Sequence, residues 1–234
     1  MPCEQSTQSD MQDIPIRNSD LLKDLKRLEK FATNDVLQDM KMRGEFFTEK
    51  DQKWYTSIPY LKDVIAKGKE HDGYPATIKS YSLQHNTFLI NDSHNPARVR
   101  QSLKEIWDCL ETLETKYCLK TNALFAVYPP GGFIAWHNNA NASAYNVIFT
   151  WSETGEGDFS YLDRRKSKII KMQDKPGWQC KLGYFAAYQD NPADLVYHCA
   201  KTECWRMTIS FVFDRSEQSQ KLQEWIIEDI QRDQ

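Results

Sequence analysis

After Thr121 the chain turns into a series of short strand-like runs: ALFAVY, GFIAWHN, YNVIFTW, GDFSYLD, SKIIKM, GWQCKLGYFAAY, LVYH and WRMTISFVF. The punctuation between them is PPGG, ETGEG, QDKPG and QDNPAD. Gly, Pro, Asn and Asp supply the backbone conformations that tight turns require, so the breaks read as turns between strands. About eight strands within roughly 90 residues predict an antiparallel barrel or jelly roll over 121–214.

The part before it reads differently. Leu21, Leu22, Leu25 and Leu28 recur at helical spacing from Asn18, and the pattern continues with a break toward Met40. A weaker helical stretch covers Glu49 to Lys67, with Pro59 expected to interrupt it. The segment 77–90, TIKSYSLQHNTFLI, reads as one or two strands. Asn95 and Pro96 are a preferred cap and a preferred first-turn residue. The helix they open carries Val99, Leu103, Ile106, Trp107, Leu110, Leu113 and Tyr117 on one face. A final helix is predicted from about Ser216 to Ile230, and residues 1–16 are polar and expected to fray. The fold class is therefore α+β in a single domain. Its mainly helical support spans 1–120, its β-rich core 121–214, and its C-terminal helix 215–234.

Hydrophobic residues make up 40% of the 234, enough for an extensive core. The formal net charge of -3 points to no partner, and Lys and Arg gather into no basic tract, which disfavours a dedicated nucleic-acid binder. No run approaches the roughly 20 apolar residues of a membrane span. The N-terminal MPCEQSTQSDMQD lacks a signal-peptide core, so a cytoplasmic location is expected. The six cysteines show neither CxxC pairs nor zinc spacing and read as free thiols.

Alternation in RMTISFVF puts Met207, Ile209, Phe211 and Phe213 on one face and Arg206, Thr208, Ser210 and Val212 on the other. The polar row fits either a lined pocket or a solvated outer face. Of the five histidines, only His137 and His198 fall in strand-like runs of the C-terminal half. Asn139 follows His137 at the spacing that shares a strand face.

The string YPPGGFIAWHNN, from Tyr128 to Asn139, with LVYHCAKTECWRMTIS some 60 residues later, resembles the Fe(II)/2-oxoglutarate-dependent oxygenases, prolyl-hydroxylase-like branch. That resemblance implies a double-stranded β-helix (jelly roll), iron as cofactor, and 2-oxoglutarate and O2 as cosubstrates, with the primary substrate left open. It further implies that His137 and His198 are iron ligands. Arg206 would then pair with the distal carboxylate of 2-oxoglutarate, with Thr208 or Ser210 as its hydroxyl partner and Tyr128 lining the cosubstrate pocket. The family pattern has Asp where this chain has Asn139. Two imidazoles and an amide leave the site at one more positive charge than the usual set, so iron is held more weakly. Three readings follow: a working oxygenase that uses the amide or a nearby acid such as Asp158, halogenase-like chemistry with an exogenous anion, or a silent jelly roll kept as a binding or structural scaffold. An unrelated lectin-like module would explain the strands and tryptophans but not the order His137, His198, Arg206.

Overall fold

The computed structural model describes residues 11–83, 87–119, 121–142, 144–191, 194–213 and 217–233. Its elements are helices and antiparallel strands. β1 (Gln12–Ile14) leads into α1 (Ser19–Phe31), a π-helical turn over Ala32–Leu37 and α2 (Gln38–Met42). Next come α3 (Glu49–Tyr55), α4 (Ile58–Lys67), β2 (Ile78–Lys79), β3 (Tyr81–Ser82), α5 (Thr87–Asn91) and α6 (Pro96–Lys116). The strands β4 (Thr121–Tyr128), β5 (Phe133–His137), β6 (Ala144–Ser152), β7 (Gly157–Asp163) and β8 (Lys168–Gln173) follow. Then come β9 (Gly177–Phe185), β10 (Tyr197–Thr202) and β11 (Arg206–Phe213), and α7 (Glu217–Gln231) closes the chain.

The strands form two sheets. One has six strands in the order β1-β9-β6-β11-β4-β3, the other five in the order β2-β5-β10-β7-β8. Every paired ladder is antiparallel. From β4 to β11 the chain switches sheets at each connection except β7 to β8, which pair as neighbours.

Each sheet has an outer apolar face under helices. Phe125, Val127, Val147, Phe149, Met207, Ile209 and Phe211 of the larger sheet pack with Leu21, Leu25 and Leu28 of α1 and Leu103, Ile106 and Leu110 of α6. Phe133, Ala135, Tyr197 and Cys199 of the smaller sheet pack with Tyr60, Leu61 and Val64 of α4. Truncating any one of these buried leucines removes transfer energy and opens a cavity, at about 2–5 kcal/mol. Between the sheets, Ile148, Phe159, Phe185 and Ala200 form a smaller apolar cluster with Met11.

Two helices start where the sequence puts them, at Asn18 and at the Asn95 cap. Asn18 Oδ1 accepts from the Asp20 and Leu21 amides at 3.0 Å, and its Nδ2 donates to Asp229 on α7, tying the first helix to the last. Asn95 Oδ1 accepts from Arg98 N at 3.2 Å, with Pro96 in the first turn of α6.

The stretch from Glu49 to Lys67 is interrupted as expected: α3 ends at Tyr55, and Pro59 stands in the first turn of α4 behind the Ser57 cap, where a residue needs no amide hydrogen. Two expectations are corrected. The run ending the 77–90 segment is helical from Thr87, since a short apolar run carries no period that separates helix from strand. The expected fraying at 11–16 fails too: Gln12, Asp13 and Ile14 pair with Leu182, Lys181 and Cys180 along the edge of β9. Residues 1–10 lie outside the described part. No helix among the described residues is long and apolar enough to cross a membrane.

Candidate metal centre and anion cavity

A cavity of about 810 Å³ opens between the sheets, and its lining includes His137, Asn139, His198, Arg206, Tyr128, Thr208 and Ser210. The polar row of β11 therefore faces inward: Arg206, Thr208 and Ser210 are buried.

His137 and His198 are directly opposite each other in the β5–β10 ladder. Their ring centroids are 4.1 Å apart and the planes inclined by 51°. Each ring is oriented by the carbonyl two residues earlier: His137 Nδ1 lies 2.8 Å from Ala135 O, and His198 Nδ1 lies 3.0 Å from Val196 O. With Nδ1–H donated in both rings, Nε2 carries the lone pair. Burial, and then the neighbouring His198, hold His137 well below the ordinary histidine value. Burial pushes His198 down to about 4. Both imidazoles are thus neutral at neutral pH, the form that binds a metal.

Asn139 reaches the cavity wall by a different route from the one its spacing suggests. β5 ends at His137, so a turn, not the pleat of a strand, sets its direction. Asn138 Oδ1 accepts from Ala140 N at 2.9 Å, Ala142 N donates to Asn139 O at 2.8 Å, and Ala140 has a φ of 46°. Tyr188 fixes this turn, because its amide donates to Ala140 O and its hydroxyl accepts from Asn138 Nδ2 at 3.0 Å. The same hydroxyl lies within hydrogen-bond distance of Gly68 O and His71 O. The Asn139 amide itself has no hydrogen-bond partner among the described residues.

Asp158 is not the substitute acid. It bonds Ser160 Oγ at 2.8 Å and pairs with Lys171 at 3.2 Å, on the side of β7 turned away from the cavity. Neighbours on a strand face opposite ways, and it is Phe159 that looks toward His198. Among the described residues no three His, Cys, Asp or Glu side chains come together as a metal group. The donors present are two neutral nitrogens and one neutral amide oxygen. That set fits a divalent cation, with less charge compensation than a carboxylate would give.

Arg206 is 2% exposed and lies over the Tyr128 ring, 5.5 Å from its centroid. Its Nε donates to Asp174 Oδ2 at 2.7 Å and its Nη1 to Thr208 Oγ1 at 2.5 Å. Asp174 also accepts from Lys181 Nζ, at 3.3 Å, and Lys181 has no exposed surface. Ser210 Oγ donates to Asn146 Oδ1 at 3.2 Å.

Sequence reasoning missed Lys181, Asp174 and Thr150. The signal for Lys181 was present: in β9, Trp178, Cys180 and Leu182 join the outer core while Lys181 takes the other face. Asp174 stands in a stretch read only as turn punctuation, and nothing local marks it.

No family model and no curated protein matches the chain. Solved structures that it resembles include a ribosomal oxygenase, YcfD, from Escherichia coli, at 13% identity over 54% of this chain with a TM-score of 0.29. The chain spans only 31% of that protein's length. A viral collagen prolyl hydroxylase from Paramecium Bursaria Chlorella virus-1, in a 2OG complex, aligns at 12% identity over 71% of this chain and 91% of its own, with a TM-score of 0.32. A Pseudomonas putida prolyl-4-hydroxylase aligns at 14% identity over 80% of this chain and 100% of its own, with a TM-score of 0.32.

Proposed function

We propose that this chain is an Fe(II)- and 2-oxoglutarate-dependent oxygenase built on a jelly roll, with a His137/Asn139/His198 metal site. The observation that carries the reading is the imidazole pair: two buried, neutral rings, each oriented through Nδ1, facing the same cavity as a buried arginine. The alternation of β4 to β11 between two antiparallel sheets supports the jelly roll. The helical part up to residue 120 then serves as its support.

His137 and His198 would hold the metal through Nε2, with the Asn139 carbonyl oxygen as a neutral third donor. Bound iron, with 2-oxoglutarate and O2, supplies oxidation of a C–H bond and releases succinate and carbon dioxide. The protein's own part is orientation and exclusion of water. The Ala135 and Val196 carbonyls keep both imidazoles in one tautomer. Arg206, fixed by Asp174 and Thr208, presents its remaining guanidinium hydrogens to the distal carboxylate, where a planar fork gives directed, charge-assisted bonds. Phe185 and Phe159 pack on His198 at ring-centroid distances of 4.7 and 5.7 Å and keep that donor dry.

The neutral donor set favours one competing reading, a cavity that binds an anionic ligand without turnover. Anaerobic Fe(II) titration with and without 2-oxoglutarate, followed by admission of oxygen, separates the two. An oxygenase gives a visible charge-transfer band that requires both components, and then iron-dependent succinate. A protein that binds 2-oxoglutarate but gives neither is the silent scaffold, and one that binds no iron at all ends the oxygenase reading.

A further inference from the structure

The cavity has a second side, away from its cations. The chain passes from β2 directly into β3, and these are end strands of the two sheets, beside β5 and β4. The sheets are therefore joined along this side. The residues that line the cavity there are Ile78 of β2 and Ile134 of β5, which are paired, with Leu124 of β4 and Val212 of β11 from the larger sheet. None of the four side chains can hydrogen-bond. The inward row Arg206, Thr208, Ser210 thus ends in a residue of another kind, at the far end of β11 from the guanidinium. His137 belongs to this side too, because it shares β5 with Ile134. A ligand seated against these four residues is next to the imidazole pair.

Charge sorts what could sit there. Among the described residues, the charged side chains lining the cavity are Asp72, Lys181 and Arg206. Both cations are held by Asp174, and Asp72 is exposed on the loop at the rim, where water screens it. A charged group brought against Leu124 and Val212 would lose its water and meet no opposite charge. A hydrocarbon group gains from the same surfaces. The apolar lining also runs out to solvent, since Tyr74 is 76% and Ile78 44% exposed, as at the entrance of a binding site. Size agrees: 810 Å³ is within the range of about 300–1,000 Å³ that encloses a whole small molecule, and an acid anchored at Arg206 fills a minor part of it.

We propose that the side of the cavity between β2, β5, β4 and β11 binds the primary substrate, and that this is an uncharged, largely hydrocarbon small molecule. That it is a substrate rests on the oxygenase reading; the compartment and its selection against charge do not.

The test compares cinnamyl alcohol, cinnamate and cinnamylamine, which share a ring and chain and differ in the charge of the head group. Mn(II) and 2-oxoglutarate are added first, so that Arg206 is occupied. Calorimetry is expected to show the alcohol binding at least about tenfold tighter than either ion, as an unpaired charge against apolar walls dictates. Val212→Lys should reverse the order in favour of cinnamate. Should that variant fail to fold, Ile78→Lys, on a half-exposed end strand, should weaken the alcohol and strengthen cinnamate severalfold at unchanged thermal stability. A residue that only supports the fold would not change the order of the three. Equal affinities in the wild type, or an order that neither lysine alters, overturns the inference. Binding of an acetylated, amidated phenylalanine peptide in place of the alcohol overturns it as well, in favour of a protein side chain. The same titrations without metal keep the two readings apart. Metal-dependent binding of 2-oxoglutarate with no preference for the alcohol sinks the compartment and spares the oxygenase. Preference for the alcohol over cinnamylamine in a protein that binds no 2-oxoglutarate with Mn(II) does the reverse.

Discussion

Asp174 accepts the Arg206 Nε hydrogen at 2.7 Å, with both side chains buried. The guanidinium that faces the cavity is thus already held by a carboxylate from the turn after β8. Removing one partner of a buried pair leaves an uncompensated charge, and here it would leave two cations, Arg206 and Lys181, facing each other. Asp174→Asn should destabilise the fold by about 3 kcal/mol or more. Urea denaturation of the two proteins at one pH measures this, and a loss below about 1 kcal/mol, the range of an exposed pair, would contradict it.

Asn139→Asp adds one negative charge to the donor set without changing the side chain's size. A carboxylate is the better oxygen donor for a hard divalent cation, so Mn(II) or Fe(II) affinity should rise by about tenfold or more. Calorimetric titration under anaerobic conditions reads it. Affinity that is unchanged in Asn139→Asp but lost in His198→Ala would place the amide outside the coordination sphere.

Gly73 is where the loop after α4 meets the turn that carries Asn139. A Cβ there would come 2.3 Å from Ala140 Cβ and 2.4 Å from Ala140 N, and Gly73 has a φ of +85°. Both contacts and backbone oppose a side chain, so Gly73→Ala should cost about 1–3 kcal/mol and push the 138–142 turn away. Metal affinity should fall although no donor has changed. Wild-type metal affinity in a destabilised Gly73→Ala protein would show that this turn does not set the site.

Acid should weaken the metal-free protein. His71 is 7% exposed, its Nε2 has no partner among the described residues, and burial lowers its pKa from 6.5. The folded state therefore resists protonation while the unfolded chain accepts a proton near 6.5, so the unfolded state binds more protons as the pH falls. Stability is fully present above that pH and is lost below it. His137 and His198 act in the same direction, His198 down to about 4. His71→Phe keeps the backbone carbonyl that Tyr188 contacts and removes one of the three contributions. Its denaturation midpoint should fall less steeply with pH than the wild type's between about 6.5 and 4. Parallel slopes would mean that His71 titrates alike in both states.

What the residues settle locally was legible in the sequence. Turn residues at PPGG, ETGEG and QDKPG separate the strands, helices start at Asn18 and behind the Asn95 cap, and alternation in β11 puts Arg206, Thr208 and Ser210 on one face. These depend on backbone preference and on a period of two or 3.6, which a short window contains. That β11's polar face looks inward was not legible, because alternation sorts residues between two faces without saying which is covered. Only the opposing sheet decides that. The same holds for the site. The residues His137 and His198 are in the sequence, but their pairing across the β5–β10 ladder is a register, fixed by packing of the whole sheet. Asn139 lies beyond the strand's last residue, so its direction belongs to a turn that Asn138 and Tyr188 build from 50 residues apart. Asp174 reaches Arg206 across 32 residues and Lys181 across seven. No local pattern records a buried charge's partner, because its cost is met by whichever opposite charge the fold brings near.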